Sequence, residues 1–198
     1  DLAPRIVRPA TWRWALGTLA AAAAVALAFW FGMERPDATP GVLTAEADAD
    51  DTVARLSGAK DVQWLGERAV TGDELRRGQR VEFASGVAEI TFDSGARVTL
   101  AGPASLELTS AWEAILHHGI LRANVPTEAI GFRISNPEVD VVDLGTEFTM
   151  VADAKGGTEV YVLQGAVEVA PRESDGREPL VLREKQARRF AKSGVSEV

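Results

Sequence analysis

Twenty consecutive residues without a charge, Trp14 to Met33 (WALGTLAAAAAVALAFWFGM), constrain this chain more than any other feature. At ~1.5 Å per residue they make roughly 30 Å of helix, the thickness of a bilayer's hydrocarbon core. Trp12 and Trp14 flank one end, and Phe29, Trp30 and Phe31 the other, where amphipathic rings suit the two lipid–water interfaces. A buried helix of a soluble protein would show a polar face over such a length. A cleaved signal peptide would have a shorter apolar run and a small-x-small site, which Phe31-Gly-Met-Glu-Arg-Pro36 does not offer. The reading is therefore an uncleaved transmembrane helix over 14–33.

Charge sets its direction. Residues 1–33 carry Arg5, Arg8 and Arg13 against Asp1, a net of +2, while residues 34–198 carry 18 basic and 28 acidic side chains, a net of −10. The positive-inside bias places residues 1–13 in the cytoplasm as a short stub and the remainder outside. Because the chain opens on Asp rather than Met, further cytoplasmic residues are expected ahead of it.

Residues 34–61 are rich in Ala, Asp and Pro with few large hydrophobes, so they are read as an acidic solvated linker, with a short helix over Thr44–Leu56 capped by Thr44. The carboxylates Glu46, Asp48, Asp50 and Asp51 lack the glycine and closing glutamate of a calcium loop, so a solvated face is preferred. From Val62 the texture changes to short period-two runs: 81–83, 88–92, 97–100, 105–108, 130–134, 139–141, 147–150 and 160–162. Apolar residues alternate there with Glu, Thr and Arg, the pattern of half-buried strands separated by turns. Residues 62–198 are thus expected to form an all-β, antiparallel sandwich or double-stranded β-helix of jelly-roll type. Gly95 in Asp-Ser-Gly, Gly119 in His-His-Gly and Gly165 in Leu-Gln-Gly are read as turn glycines with positive φ.

Composition narrows the chemistry. There is no cysteine, which excludes disulfides, thiolate metal sites and a Cys nucleophile, and His117 and His118 are the only imidazoles. A net charge of −8 disfavours a nucleic-acid partner.

The order Gly72-Asp-Glu-Leu75-x-x-Gly78, Thr91-Phe-Asp-Ser-Gly95-x-x-Val98-x-Leu100, Gly102-Pro-Ala104, Gly119, Asp143-Leu-Gly-Thr-Glu-Phe148 and Val162-Leu-Gln-Gly165-x-Val167-x-Val169 resembles the FecR family from about Trp64 to Lys192. Glu147 stands where that family often carries a basic or neutral residue. The resemblance implies an inner-membrane, single-pass protein with a periplasmic C-terminal domain. It also implies a signal relay rather than a catalyst, in which an outer-membrane transporter or other envelope protein is heard outside and a cytoplasmic sigma factor is regulated inside. The alternative is an envelope scaffold or a carbohydrate- or protein-binding module without a sigma-factor role.

Neither cofactor nor metal is expected. Glu138, Asp140, Asp143 and Glu147 form the densest carboxylate run, and paired carboxylates can serve glycoside hydrolysis or bind calcium. Glu138 and Asp140 alternate with Val139 and Val141, which places them on a strand's solvent face. Ser85, Ser94, Ser105, Ser110 and Ser135 lack a nucleophile-elbow context. His117 and His118 are read as a solvated turn. Gly145, Thr146 and Glu147 are the candidate partner-binding residues, against a plainer reading in which the Thr146 hydroxyl pairs with backbone. Trp64 and Trp112 are further candidate contacts, and Leu180 to Phe190 reads as a last strand with a basic face.

Overall fold

A computed structural model describes residues 51–154, 156–172 and 178–198. The expected transmembrane helix at 14–33, the stub and most of the linker lie outside the described residues. Among the described residues no helix is long and apolar enough to cross a membrane.

Among the described residues thirteen strands follow one another: β1 (Thr52–Trp64), β2 (Glu74–Arg76), β3 (Arg80–Phe92), β4 (Arg97–Ser110), β5 (Glu113–Asn124), β6 (Arg133–Ser135), β7 (Val139–Asp143), β8 (Glu147–Ala152), β9 (Thr158–Gln164), β10 (Ala166–Pro171), β11 (Leu180–Arg183), β12 (Ala187–Ala191) and β13 (Gly194–Glu197). Among the described residues a single 3-10 turn, Thr127–Ala129, interrupts them. All pairings are antiparallel except β5 with β6, so the all-β antiparallel expectation is met.

The strands form one continuous sheet that divides into two limbs. β3, β4 and β5 run through both limbs, because each breaks register near its middle. β3 slips between Phe83 and Val87, and β4 between Ala101 and Ser105. Beside that break Gly119 of β5 has φ +119°, and a Cβ there would stand 2.6 Å from the Ala104 Cβ. Only glycine lets the two bent strands lie this close. On one side of the bend β5 pairs with β6, and β7, β10 and β11 follow outward; on the other it pairs with β8, followed by β9, β12 and β13. The limbs share one apolar core containing Phe83, Phe92, Phe132, Phe148 and Phe190, all fully buried. Phe92 of β3 meets Phe132 ahead of β6 edge-on at 4.8 Å, a geometry the ring quadrupoles favour. Asn136 adds a polar tie: its Oδ1 accepts the Glu138 and Val139 N–H groups, and its Nδ2 donates to Thr158 of β9.

Three local expectations are corrected. The β structure begins at Thr52, ten residues ahead of the expected boundary at 62, so 52–61 are neither linker nor, over 52–56, helix. Val53, Ala54 and Leu56 are buried there, whereas the small and polar run Ser57 to Asp61 disguised the strand. The His117-His118-Gly119 segment lies within β5, not in a turn. Leu180 to Phe190 is two strands, parted by a turn at Lys185, whose φ is +66°.

Candidate functional site

The segment Asp143 to Glu147 joins β7 to β8 and is tied down from several directions. Along β7 the inward positions are Val139, Val141 and Asp143, so strand parity carries a carboxylate into the core. Asp143 is fully buried. Its Oδ2 accepts the Gly145 N–H at 2.6 Å, closing an Asx-type turn. Burial pushes the Asp143 carboxyl up from 3.8 to about 6, against the opposing pull of the Gly145 and Thr146 backbone N–H groups. Its backbone is held as well: Asp143 N–H donates to Phe132 O at 2.9 Å, and its carbonyl accepts Gly131 N–H at 3.0 Å.

The next three residues are packed as closely. Leu144 N–H donates to Ala166 O at 3.2 Å, and Thr146 O accepts Val125 N–H at 2.9 Å. Gly145 has φ +92°. Gly165, at the corner where the chain leaves β9 for β10, has φ +82°, and a Cβ on it would lie 2.6 Å from Gly145 O and 2.8 Å from Thr146 Cγ2. The Leu-Gly-Thr and Leu-Gln-Gly sequences are therefore in direct contact. Gly165 serves as a corner between limbs, not as a hairpin turn, since β9 and β10 do not pair. Gly95, with φ +96°, sits in the β3–β4 hairpin, where its N–H donates to Phe92 O.

Thr146 is buried and its hydroxyl has no hydrogen-bond partner, so the expectation that it pairs with backbone is corrected. Asp143 Oδ1 is in the same condition. Both buried polar atoms raise the free energy of the folded loop. Glu147 instead faces outward and pairs with Arg122 on β5 at 2.6 Å. That pair accounts for an acidic residue after Leu-Gly-Thr. Above the fixed backbone, Leu144 is 45% exposed, and Ile130, whose side chain lies against Gly145, is 46% exposed. The Ile130 Cδ1 lies 3.3 Å from where a Gly145 Cβ would be. A loop with a rigid backbone and exposed aliphatic side chains is suited to protein contact, because little entropy is lost when it is covered.

The remaining candidate residues disperse. Asp140 pairs with Arg172 at 2.7 Å, and Glu138 accepts from Thr158 Oγ1. Among the described residues no group of His, Asp and Glu is placed to hold a metal. His117 contacts Glu107 at 3.0 Å, and Arg80 reaches the same carboxylate at 2.9 Å. The Arg80 hydrogen bond, then that of His117, holds Glu107 below the usual carboxylate range. His118 lines a shallow cleft of about 280 Å³ at the bend, with Pro103, Ile120 and Ala152. Ser94 and Ser110 accept backbone N–H groups, and the Ser135 hydroxyl is buried without a partner. Trp64 packs edge-on against Phe83, whereas Trp112, at the β4–β5 turn, is 46% exposed. The basic strip is largely neutralised by Arg188–Glu197, Arg189–Glu159 and Lys185–Glu184 pairs.

Sequence reading missed the burial of Asp143 and the part played by Ile130. Parity with Val139 and Val141 carried the first signal. Nothing in the local pattern carried the second, because Ile130 was assigned to a strand and lies in a turn.

Residues 78–168 match the sequence model of the FecR protein family, a stretch that contains the whole loop and Gly165. No curated protein matches the chain. Two crystal structures of a proposed anti-sigma factor from Parabacteroides distasonis ATCC 8503 are similar in fold. One is 20% identical with a TM-score of 0.52, the other 22% identical with a TM-score of 0.50. In each case the shared part covers 61% of this chain and 59% of the neighbour.

Proposed function

We propose, from the premise that residues 78–168 are FecR-like, that this chain is a membrane-anchored regulator that relays an envelope signal to a cytoplasmic sigma factor. In this reading residues 14–33 span the inner membrane once with the N-terminus inside. The bent, sandwich-like β domain stands in the periplasm. An envelope protein, such as an outer-membrane transporter, is its partner outside, and the sigma factor is engaged through cytoplasmic residues ahead of the span. No catalytic step is assigned.

The observation that carries this reading is the Asp143–Glu147 loop. It lies within the FecR-matched stretch, its backbone is fixed to three other segments, and it exposes Leu144, with the exposed Ile130 packed against Gly145. A second reading, an envelope scaffold or carbohydrate-binding module, draws on the exposed Trp112 ring. Deleting the gene and profiling transcripts separates the two. The relay predicts changed expression of a small promoter set, restored by the full chain. Unchanged transcripts, together with glycan binding lost in Trp112→Ala, would support the scaffold.

A further inference from the structure

Asp143 is the only ionisable side chain buried among the described residues. Its two carboxyl oxygens are not equivalent. Oδ2 accepts the Gly145 N–H at 2.6 Å, whereas Oδ1 meets no donor. Among the described residues no cation pairs with it. The charged groups on the elements packed around it are engaged or directed elsewhere. Arg133 of β6 and Glu168 of β10 both stand opposite Val142, the outward neighbour of Asp143. Asp140 of β7 pairs with Arg172, Glu147 of β8 with Arg122, and Glu184 with Lys185. Arg183 of β11 is exposed beside Ala166, and Glu128 of the 3-10 turn lies near Gly95.

Such a site tolerates a neutral carboxyl far better than a charged one. With its proton on, Asp143 is a polar side chain with one unmet atom. Without it, a full charge sits in apolar surroundings with one oxygen unsolvated. The cover over that charge is thin. Leu144 is 45% exposed and Gly145 has no side chain, so lifting these two residues uncovers little apolar surface. It breaks the Leu144 N–H bond to Ala166 O, at 3.2 Å, and the Gly145 N–H bond to Asp143 Oδ2. Water then meets all the freed groups. A local opening of this size needs much less free energy than unfolding the domain.

We propose that Asp143 is a proton-controlled latch: protonated, it holds the Leu144–Gly145 segment down, and on ionisation the segment lifts to admit water to the carboxylate. On the reading that this loop is the contact surface, acid fixes Leu144 in place and neutral pH loosens it. The raised carboxyl pKa, from 3.8 to about 6, sets the window. Below 3.8 both the closed and the open form are protonated, and pH has no effect. Between 3.8 and about 6 the open form releases its proton and the closed form keeps it. Opening there increases with pH, by up to about tenfold per unit. Above about 6 both forms are ionised and opening levels off.

Hydrogen exchange of the full chain in mild detergent, resolved to single amides and corrected for intrinsic rates, reads the latch without any partner. Protection of the Leu144 and Gly145 amides should fall about twentyfold from pH 4.5 to pH 7. At pH 7 it should stay well below that of Leu100 and Leu121 in the core strands. Gly95, whose N–H closes the β3–β4 hairpin on Phe92 O, has no buried acid beneath it and should not respond. Asp143→Asn should abolish the response of the loop, and Asp140→Asn, at the Arg172 ion pair, should keep it. If Asp143→Asn does not fold, the comparison of the wild-type loop with Gly95 still decides. Loop protection constant within about twofold overturns the proposal. A response retained in Asp143→Asn overturns it too. So does loop exchange at the rate of the core strands at both pH values, because the carboxylate would then reach water only when the whole domain unfolds. Each of these results leaves the relay reading standing, since a permanently fixed loop can also be a contact surface.

Discussion

Replacing Asp143 by asparagine should make the domain's stability less dependent on pH, in a direction and window fixed by burial. The carboxyl is fully buried and its pKa is raised from 3.8 to about 6. Below pH 3.8 it is protonated in both folded and unfolded states and the folded state bears no penalty. Between 3.8 and about 6 the unfolded chain releases the proton while the folded chain retains it, so stability falls as pH rises. Above about 6 the loss is complete. A shift of about two pKa units corresponds to about 3 kcal/mol. Asparagine cannot ionise and still offers an oxygen to the Gly145 N–H, which Asp143 Oδ2 accepts at 2.6 Å. Any constant cost of the substitution cancels when the two proteins are compared across pH. The assay is urea unfolding of the fragment Ala47–Val198, followed by tryptophan fluorescence, at pH 4 and pH 7. Relative to wild type, Asp143→Asn should gain up to about 3 kcal/mol between these values. A stability difference that stays constant within about 0.5 kcal/mol, or moves the other way, would refute the burial argument.

Gly165→Val should be the most damaging loop change, since its side chain would meet Gly145 O at 2.6 Å at a φ of +82°; the expected loss is at least about 2 kcal/mol by chemical denaturation. Gly72→Ala, also at positive φ but with nothing within 4 Å, should cost only about 1 kcal/mol in the same assay. Thr146→Val replaces a buried hydroxyl that has no partner, so the melting temperature should hold or rise, reflecting a gain of up to about 1 kcal/mol; a fall would reveal a hydrogen bond at that hydroxyl. Reporter fusions placed before Trp12 and after Leu56 should report opposite sides of the membrane, and cytoplasmic activity from the second would end the single-span reading.

Much of this architecture was legible because period-two alternation survives wherever one face of a strand is buried. The runs at 88–92, 97–100 and 147–150 lie inside β3, β4 and β8 for that reason. β1 was hidden because its outward and bend positions, Ser57 to Asp61, are small or polar and mimic a linker. The bend itself could not be read from sequence. Gly119 looks like a turn residue locally, and only its approach to Ala104, a non-local contact, explains it as a kink inside a strand. At the loop, Gly145 and Thr146 stood out as residues, but their contact with Gly165 joins positions 20 apart and leaves no local trace. Asp143 was the recoverable miss: its parity with Val139 and Val141 was present, and its charge suggested the surface.

Leu144→Asp asks whether the Asp143–Glu147 loop is a contact surface of a regulator. Leu144 is 45% exposed and its backbone N–H, which the substitution keeps, donates to Ala166 O, so the change should leave the melting temperature of the β domain unaltered. A strain carrying Leu144→Asp, at wild-type levels of the chain, should lose the signal-dependent transcript change that the wild-type chain supports. A full transcript response with unchanged melting would contradict it.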